Sequence, residues 1–185
     1  MKNRDSDFEI IEEVLSGREE SFEKIVLKYQ ERVLRLCSSM VGGSQAEDAA
    51  QNIFLKVFES LGNFRARSSF STWLYRIASN HCLNLIKKKK QEKTDSLDLR
   101  LEEYGSSAEP LSKGPSPEAS LEGRQTVGFL LAQMSPEEAI ILSLREIEGL
   151  SYSELTESLG ISLDTVKVRL FRARKSFIEA SKKFL

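Results

Sequence analysis

The chain has 185 residues, of which 40% are hydrophobic and 30% are charged, and its formal net charge is −1. This length allows one ordinary domain or two small ones, and the composition is that of a globular protein rather than a disordered one. The sequence contains no apolar run near the roughly 18–20 residues that a membrane span requires, and its polar, acidic start is unlike a secretory signal. We therefore expect a cytoplasmic protein without direct membrane insertion, in which the isolated cysteines Cys37 and Cys82 are buried, reduced thiols.

The nearly neutral net charge conceals two basic segments. Residues 65–93 hold eight Lys/Arg against one acid, and residues 162–185 hold seven against two. The compensating acids lie mainly in residues 9–61, 94–125 and 135–160. Each basic run alone is compatible with a solvated face, but two runs on recognisable helices favour local contacts with a polyanion.

Apolar residues at three- and four-residue steps predict helices along most of the chain. One apolar stripe spans residues 22–40 and a second spans residues 46–61, and a glycine follows each stripe and ends its helix. The polar side of the second helix holds Asp48 and Gln51 beside one apolar residue, Leu55. An apolar side chain on a polar face indicates either a partner surface or an ordinary exposed leucine, and the spacing alone leaves both open.

Residues 64–90, FRARSSFSTWLYRIASNHCLNLIKKKK, mix aromatic and basic residues closely. A soluble domain rarely needs this mixture unless its surface meets a nucleic-acid strand with unstacked bases. A third helix is predicted from about Ser71 to Lys90, with Trp73 in the core rather than serving as a stacking platform, and with His81 in a structural or incidental role. A separate polar stripe on this helix suits contacts with base edges and phosphates. The stripe consists of Arg76, Asn80, Asn84 and Lys87.

The pattern changes between about Lys93 and Gly123, where Gly, Pro, Ser and Glu dominate and the apolar stripe is lost. This composition predicts a flexible linker over residues 94–123, with a short helical turn near residues 97–104. The chain is thereby divided into a first helical domain over residues 1–93, the linker, and a second helical domain over residues 124–185.

The C-terminal part has the sequence signals of a helix-turn-helix. Ser135-Pro136-Glu137-Glu138 and Ser151-Tyr152-Ser153-Glu154 are predicted capping boxes, and Gly160 suits a left-handed turn between two helices. Ser162 then caps a helix whose outer face is cationic, as expected of a helix that enters a DNA major groove. A plain helical hairpin with a basic exit helix is the alternative.

These motifs together resemble those of an extracytoplasmic-function sigma factor of the sigma-70 family, a two-domain initiation subunit of bacterial RNA polymerase. The segment AEDAAQNIFLKVFESLGNFR resembles region 2.2, FSTWLYRIASN resembles regions 2.3 and 2.4, and LSYSELTESLGISLDTVKVRLFRARK resembles region 4.2. The resemblance implies an all-α fold of two small domains and a non-enzymatic factor. Such a factor directs core polymerase to promoters by recognising their −10 and −35 elements and melting the −10 region. The chain departs from the family pattern at Asn52, where an acid is usual, and at Thr156, where alanine is common.

The resemblance also implies three sets of contacts. Core-polymerase contacts, on the clamp helices of the largest subunit, are expected at Asp48, Gln51, Asn52, Leu55 and Lys56. Contacts with the −10 element are expected at Phe64, Arg65, Arg67, Ser69, Phe70, Tyr75, Arg76, Asn80, Asn84 and Lys87, and the loop 65–70 is expected to receive a flipped base. Contacts with the −35 element are expected at Ser162, Thr165, Lys167, Val168, Arg169, Phe171, Arg172, Arg174 and Lys175.

The implied partners are core polymerase, including the flap of its second-largest subunit, promoter DNA, and an anti-sigma factor through which the chain could be held at the membrane. No cofactor, metal, catalytic residue or small-molecule substrate is expected. A stand-alone helix-turn-helix regulator is the main alternative, although it leaves the aromatic and basic segment unexplained. A nucleic-acid enzyme is disfavoured because the sequence has no Walker-type loop, no HExxH motif and no Cys/His cluster.

Overall fold

The computed structural model describes residues 3–100 and 119–184, and the regular structure in these two stretches is helical throughout. The α-helices in chain order are α1 (Asn3–Leu15), α2 (Phe22–Val41), α3 (Gly43–Ser60), α4 (Phe70–Arg100), α5 (Ala119–Ala132), α6 (Pro136–Leu142), α7 (Tyr152–Leu159) and α8 (Leu163–Phe184). Short 3-10 turns lie at Glu19–Ser21 and Leu61–Asn63, and a π-turn at Ser143–Ile147 follows α6. The predicted all-α class is confirmed.

Helices α2, α3 and α4 pack into a bundle because each presents one apolar stripe to the other two. Ile25 of α2, Ile53 of α3 and Leu74 of α4 are fully buried. Burying one such side chain contributes about 1.5–3 kcal/mol, so the three stripes are a main source of the bundle's stability. Cys37 and Cys82 are free thiols, and both are buried in this core as their apolar surroundings predict. Their sulfurs lie 3.9 Å apart.

A buried polar contact fixes α1 on α2. Asp7 is only 5% exposed, and its Oδ2 accepts a 2.7 Å hydrogen bond from the Tyr29 hydroxyl while its Oδ1 pairs with the Lys28 ammonium. Burial and the neighbouring Asp7 carboxylate raise the pKa of Tyr29, so this hydroxyl remains a donor. The contact sets α1 beside the turn that follows α3.

Helices α6, α7 and α8 form the predicted helix-turn-helix. Ser151 and Glu154 make a complete capping box at the start of α7. Gly160 ends α7 at φ +65°, a left-handed conformation that glycine adopts without steric cost. At α6 the Ser135 hydroxyl accepts a 3.3 Å hydrogen bond from the backbone N–H of Glu138, which is the serine half of the predicted box.

Described helices extend into both ends of the expected linker over residues 94–123. Helix α4 continues to Arg100, and α5 already begins at Ala119. The continuation of α4 has a local cause, since residues 87–100 contain no Gly or Pro and many good helix formers. Residues 101–118, including part of the helical turn expected near 97–104, lie outside the described residues.

The two helical units pack against each other. Helix α7 lies along α4, while α5 and α6 lie against α2. At this contact the Ser158 hydroxyl on α7 donates a 3.2 Å hydrogen bond to the backbone carbonyl of Thr72 on α4. Both side chains are buried, at 1% and 2% exposure, so the second unit covers the beginning of α4.

Candidate nucleic-acid interface

The outer face of α3 presents the five residues predicted to contact polymerase. Their side chains are exposed on one side of the helix, and the buried stripe of the bundle core occupies the other side. Leu55 is 60% exposed at the centre of this face. The Asn52 side-chain amide donates a 2.8 Å hydrogen bond to the backbone carbonyl of Asp48, so it folds back along its own helix. The face consists of Asp48, Gln51, Asn52, Leu55 and Lys56.

The loop between α3 and α4 is built on a cluster of aromatic rings. Phe64 lies 5.7 Å from Phe70 and 5.3 Å from Trp73, measured between ring centroids. Such pairs stabilise the packing beyond the area they bury, which places the half-buried Trp73 in the cluster. Ala66 adopts φ +52°, a conformation that is uncommon for a residue with a side chain and that concentrates at functional sites.

A cleft of about 410 Å³ opens beside this loop. One wall is the loop itself, and the other is the middle of α1, whose Phe8 ring lies 6.4 Å from that of Phe64 and is 43% exposed. Sequence reasoning missed this second wall, because no spacing rule connects α1 with a loop more than 50 residues away. The lining residues are Asp7, Phe8, Glu9, Phe64, Ala66, Ser68, Ser69 and Phe70.

The predicted −10 residues in this loop occupy different environments. Arg65 and Arg67 are exposed, whereas Phe70 is 3% exposed and belongs to the core as much as to the cleft. The Ser69 hydroxyl accepts a 3.2 Å hydrogen bond from the backbone N–H of Thr72, so it caps α4. The loop therefore carries exposed arginines beside a packed cluster of aromatic rings.

The polar stripe of α4 lies on the surface as predicted, with its four members exposed at Arg76, Asn80, Asn84 and Lys87. Asn80 and Asn84 line a second open groove of about 410 Å³, together with Lys56 and Glu59 from α3. The stripe and the outer face of α3 therefore meet at one groove.

His81 is buried beneath this groove, and its Nδ1 lies 2.7 Å from the Lys56 ammonium. A lysine ammonium only donates, so Nδ1 accepts and the ring proton is on Nε2, which is buried without a partner among the described residues. Burial, followed by the charge of Lys56, lowers the pKa of His81 below its ordinary value. The predicted structural role of His81 thus includes positioning Lys56.

Tyr75 does not lie on the exposed face with the other predicted −10 residues. It is 1% exposed, and its hydroxyl donates a 2.6 Å hydrogen bond to Oε2 of Glu148 in the second helical unit. Because the packing of α7 on α4 covers this position, Tyr75 is closed to a nucleic acid in this arrangement.

The outer face of α8 carries the cations predicted to contact the −35 element. The Ser162 hydroxyl caps α8 by accepting a 3.2 Å hydrogen bond from the backbone N–H of Thr165. Phe171 is 71% exposed, so its ring is accessible to a partner. Thr165 and Arg169 are half-buried, and the other predicted members are exposed: Ser162, Lys167, Val168, Phe171, Arg172, Arg174 and Lys175.

Ion pairs hold some of these cations in place. Arg174 Nη2 lies 2.7 Å from Glu146 Oε1, and this bond raises the pKa of the guanidinium. Lys167 lies 3.4 Å from Asp164. Exposed pairs of this kind contribute little to stability, so these cations can exchange partners for phosphates at small cost.

Residues 3–100 and 119–184 contain neither a candidate metal site nor a candidate membrane span. These residues form no cluster of three or more His, Cys, Asp or Glu side chains that could hold a metal ion. None of their helices is long and apolar enough to cross a membrane.

Comparisons of the sequence with known proteins agree with this division into two units. Residues 25–92 match the family model of sigma-70 region 2, and residues 124–177 match that of sigma-70 region 4. The chain is 36% identical to the RNA polymerase sigma-H factor of Pseudomonas aeruginosa over 186 residues, covering 97% of this chain and 96% of that protein. It is 31% identical to the ECF RNA polymerase sigma-E factor of Escherichia coli K12 over 180 residues, covering 95% and 94%.

Two solved structures have a similar fold over nearly the whole chain. The structure of CnrH in complex with the cytosolic domain of CnrY superposes with a TM-score of 0.69 at 19% identity, covering 94% of this chain and 96% of that one. The sigma factor RpoE from Bartonella quintana, solved with the anti-sigma factor NepR, gives a TM-score of 0.70 at 23% identity, covering 87% and 96%.

Proposed function

The chain belongs to the sigma-70 family of RNA polymerase sigma factors, in its extracytoplasmic-function group, and we propose that three of its surfaces divide the work of promoter-specific initiation. The observation that supports this proposal is that three different surfaces lie at separate places on the chain. They are the outer face of α3, with Leu55 among polar residues, the aromatic cleft beside the 64–70 loop, and the cationic face of α8. Members of this family are initiation factors rather than enzymes.

The outer face of α3 is proposed to bind core polymerase. Leu55 is its one strongly exposed apolar side chain, and Asp48, Gln51 and Lys56 surround it with polar groups. An apolar centre with a polar rim is the usual anatomy of a protein–protein contact. The expected partner is the clamp-helix segment of the largest polymerase subunit, with Asn52 replacing the usual acid.

The cleft between α1 and the 64–70 loop is proposed to receive a base flipped out of the −10 element. Extruding a base costs a few kcal/mol, and stacking it on an aromatic ring returns about 1–3 kcal/mol. The exposed Phe8 ring and the half-buried Phe64 ring, which pack against each other with centroids 6.4 Å apart, both line the cleft and provide such rings. Arg65, Arg67 and the α4 stripe would then bind the phosphates and base edges of the strand on either side.

The outer face of α8 is proposed to read the −35 element in the major groove. Its arginines can bond guanine in bidentate fashion, and its lysines can neutralise phosphates. Val168 and Phe171 are exposed apolar side chains suited to the methyl group of thymine.

Control by an anti-sigma factor in the cytoplasm is also proposed. Its support is that both structural relatives described above were solved with a second protein, which in one case is a named anti-sigma factor. An anti-sigma factor with a membrane anchor would hold the chain at the membrane until a signal releases it.

The test is run-off transcription with purified bacterial core polymerase on pooled promoter fragments. We expect discrete new transcripts with the chain and none without it. Leu55→Arg should abolish them by preventing core binding, whereas Leu15→Arg, at a 55% exposed leucine on α1, should leave them unchanged. Duplex binding by the chain alone, without any polymerase-dependent transcript, would instead favour the stand-alone regulator.

A further inference from the structure

Two cysteine side chains meet in the core of the first helical unit. Cys37 of α2 and Cys82 of α4 are fully buried, and the Cys82 thiol donates a 3.9 Å hydrogen bond to Cys37 Sγ. They are the only two cysteines of the sequence, so no third thiol of the chain competes for either sulfur. A disulfide bond is about 2.05 Å long, so the two sulfurs already lie within about 2 Å of bonding distance.

The contact makes the two thiols chemically unequal. When Cys82 loses its proton, Cys37 can donate a hydrogen bond to the thiolate, and this bond lowers the pKa of Cys82. The bond with Cys82, together with burial, raises the pKa of Cys37. Because the thiolate rather than the thiol is the nucleophile, Cys82 is the sulfur that reacts first with an oxidant. Cys37 then remains beside it as a thiol that can react with the oxidised sulfur.

The end of α2 gives a small oxidant a route to this pair. Cys37 lies one helical turn before Val41, where α2 ends, and Gly42 follows with φ +89°. Ser38 and Gly42 are exposed on either side of that last turn. Helix ends open locally at a lower free-energy cost than the middle of a core helix. Local opening of the last turn of α2 is therefore sufficient to admit a molecule as small as hydrogen peroxide.

We propose that Cys37 and Cys82 form an oxidation site, at which hydrogen peroxide converts the two thiols into a reversible disulfide between α2 and α4. The Cys82 thiolate attacks one peroxide oxygen, the O–O bond breaks, and the leaving hydroxide takes up a proton to become water. The Cys37 sulfur then attacks the sulfur of the resulting sulfenic acid, and the S–O bond breaks. The second oxygen leaves as water with the Cys37 proton. The two sulfurs lose two electrons and the peroxide gains them.

The disulfide braces the first helical unit. It joins residues 45 positions apart and closes a loop that contains α3 and the 64–70 loop. A disulfide stabilises mainly by restricting the unfolded chain, so the unfolding equilibrium constant of this unit should fall about 30- to 900-fold. Disulfides of reducing compartments are usually transient, so the bond is expected to form under oxidative stress and to be reversed by cellular thiols. This inference does not rest on the proposed function.

The site is tested on the folded full-length chain, diluted to avoid bonds between chains. Hydrogen peroxide is added and then removed with catalase, and the remaining thiols are alkylated in urea. We expect neither cysteine to be alkylated, one Cys37–Cys82 disulfide in peptide mass spectra, and recovery of both thiols with dithiothreitol. Two alkylated cysteines, a bond only between chains, or a disulfide that forms only when peroxide is added in urea would overturn the oxidation site.

Urea titration measures the effect of the bond on stability. Trp73 is the only tryptophan of the sequence and belongs to the aromatic cluster of the same unit, so its fluorescence follows the unfolding of that unit. The oxidised chain should unfold at a higher urea concentration than the reduced chain, by the 30- to 900-fold change in equilibrium constant given above.

The double variant Cys37→Ala/Cys82→Ala is the matched control. Peroxide also oxidises methionine, and the variant keeps all three methionines of the parent, so it shows how far the urea curve moves without a disulfide. Dithiothreitol added to the oxidised parent is a second control that requires no variant to fold, because it reduces the disulfide but leaves methionine sulfoxide in place. An oxidised parent that unfolds at the same urea concentration before and after dithiothreitol would overturn the brace.

Discussion

Phe8 offers the sharpest test of base capture in the cleft between α1 and the 64–70 loop. The ring is 43% exposed, so truncating it removes only part of the packing of a core phenylalanine, whose replacement by alanine costs about 3–5 kcal/mol. We therefore expect Phe8→Ala to remain folded. If a flipped base stacks on this ring, the lost stacking is about 1–3 kcal/mol, which corresponds to a roughly 5- to 150-fold weaker complex with the melted promoter.

The assay is fluorescence anisotropy of the holoenzyme on fork-junction DNA whose −10 element is single-stranded. An abasic site is introduced at each −10 position in turn, and the position that weakens binding by the parent chain marks the captured base. At that position Phe8→Ala should weaken binding to intact DNA but have no effect on abasic DNA, because the stacking partner is then already absent. Phe8→Tyr preserves a stacking face and should bind like the parent.

Leu15→Ala, at an exposed position on the same helix, is the control for an indirect effect through α1. Equal weakening of the intact and abasic complexes by Phe8→Ala would refute direct stacking, as would no weakening of either.

Three further predictions concern stability. Asp7→Ala leaves the buried Tyr29 hydroxyl without its acceptor and should lower the free energy of unfolding by about 1–3 kcal/mol, measured by urea titration. Ser151→Ala removes the capping box of α7 and should cost about 1 kcal/mol, whereas Ser151→Asp should retain most of the stability. Because the pKa of His81 is lowered in the folded chain, the unfolded chain binds more protons there, so stability should fall as the pH drops below the unfolded pKa of about 6.5. In His81→Gln this loss between pH 7.5 and 5.5 should be smaller in parallel urea titrations, and an unchanged loss would exclude His81 as its source.

Local features of the fold could be predicted from the sequence because their causes are local. The buried stripe of α3 and the caps at Ser151 and Gly160 each depend on residues within one or two helical turns. Helix α4 continues to Arg100, past the expected start of the linker, because the Gly and Pro residues that predict the linker lie further along the chain. The propensity of residues 94–100 themselves, without Gly or Pro, favours helix.

In the candidate site, too, the features with local causes could be predicted and those with long-range causes could not. The exposed α3 face, the α4 stripe and the α8 face follow from helical spacing, and the structure places nearly all of their members on the surface. Tyr75, which the resemblance implies as a −10 contact, lies off the α4 stripe and contacts Glu148, which is 73 residues away. Phe8 likewise reaches the cleft through the tertiary packing of α1, in which Asp7 bonds Tyr29 of α2 and Ile11 and Val14 are buried in the core. Contacts at such separations are set by tertiary packing, which periodicity does not encode.

The groove shared by α3 and α4 gives a physical reason for polymerase binding and −10 reading to depend on each other. Lys56 is a predicted polymerase contact, and its ammonium is held 2.7 Å from His81, which is adjacent in sequence to Asn80. A partner that binds the Lys56 ammonium removes the donor from His81 Nδ1. It thereby changes the lining of the groove that Lys56 and His81 share with Asn80. On the roles proposed for the α3 face and the α4 stripe, the contact of Lys56 with the buried His81 is the route by which docking on α3 would affect base reading on α4.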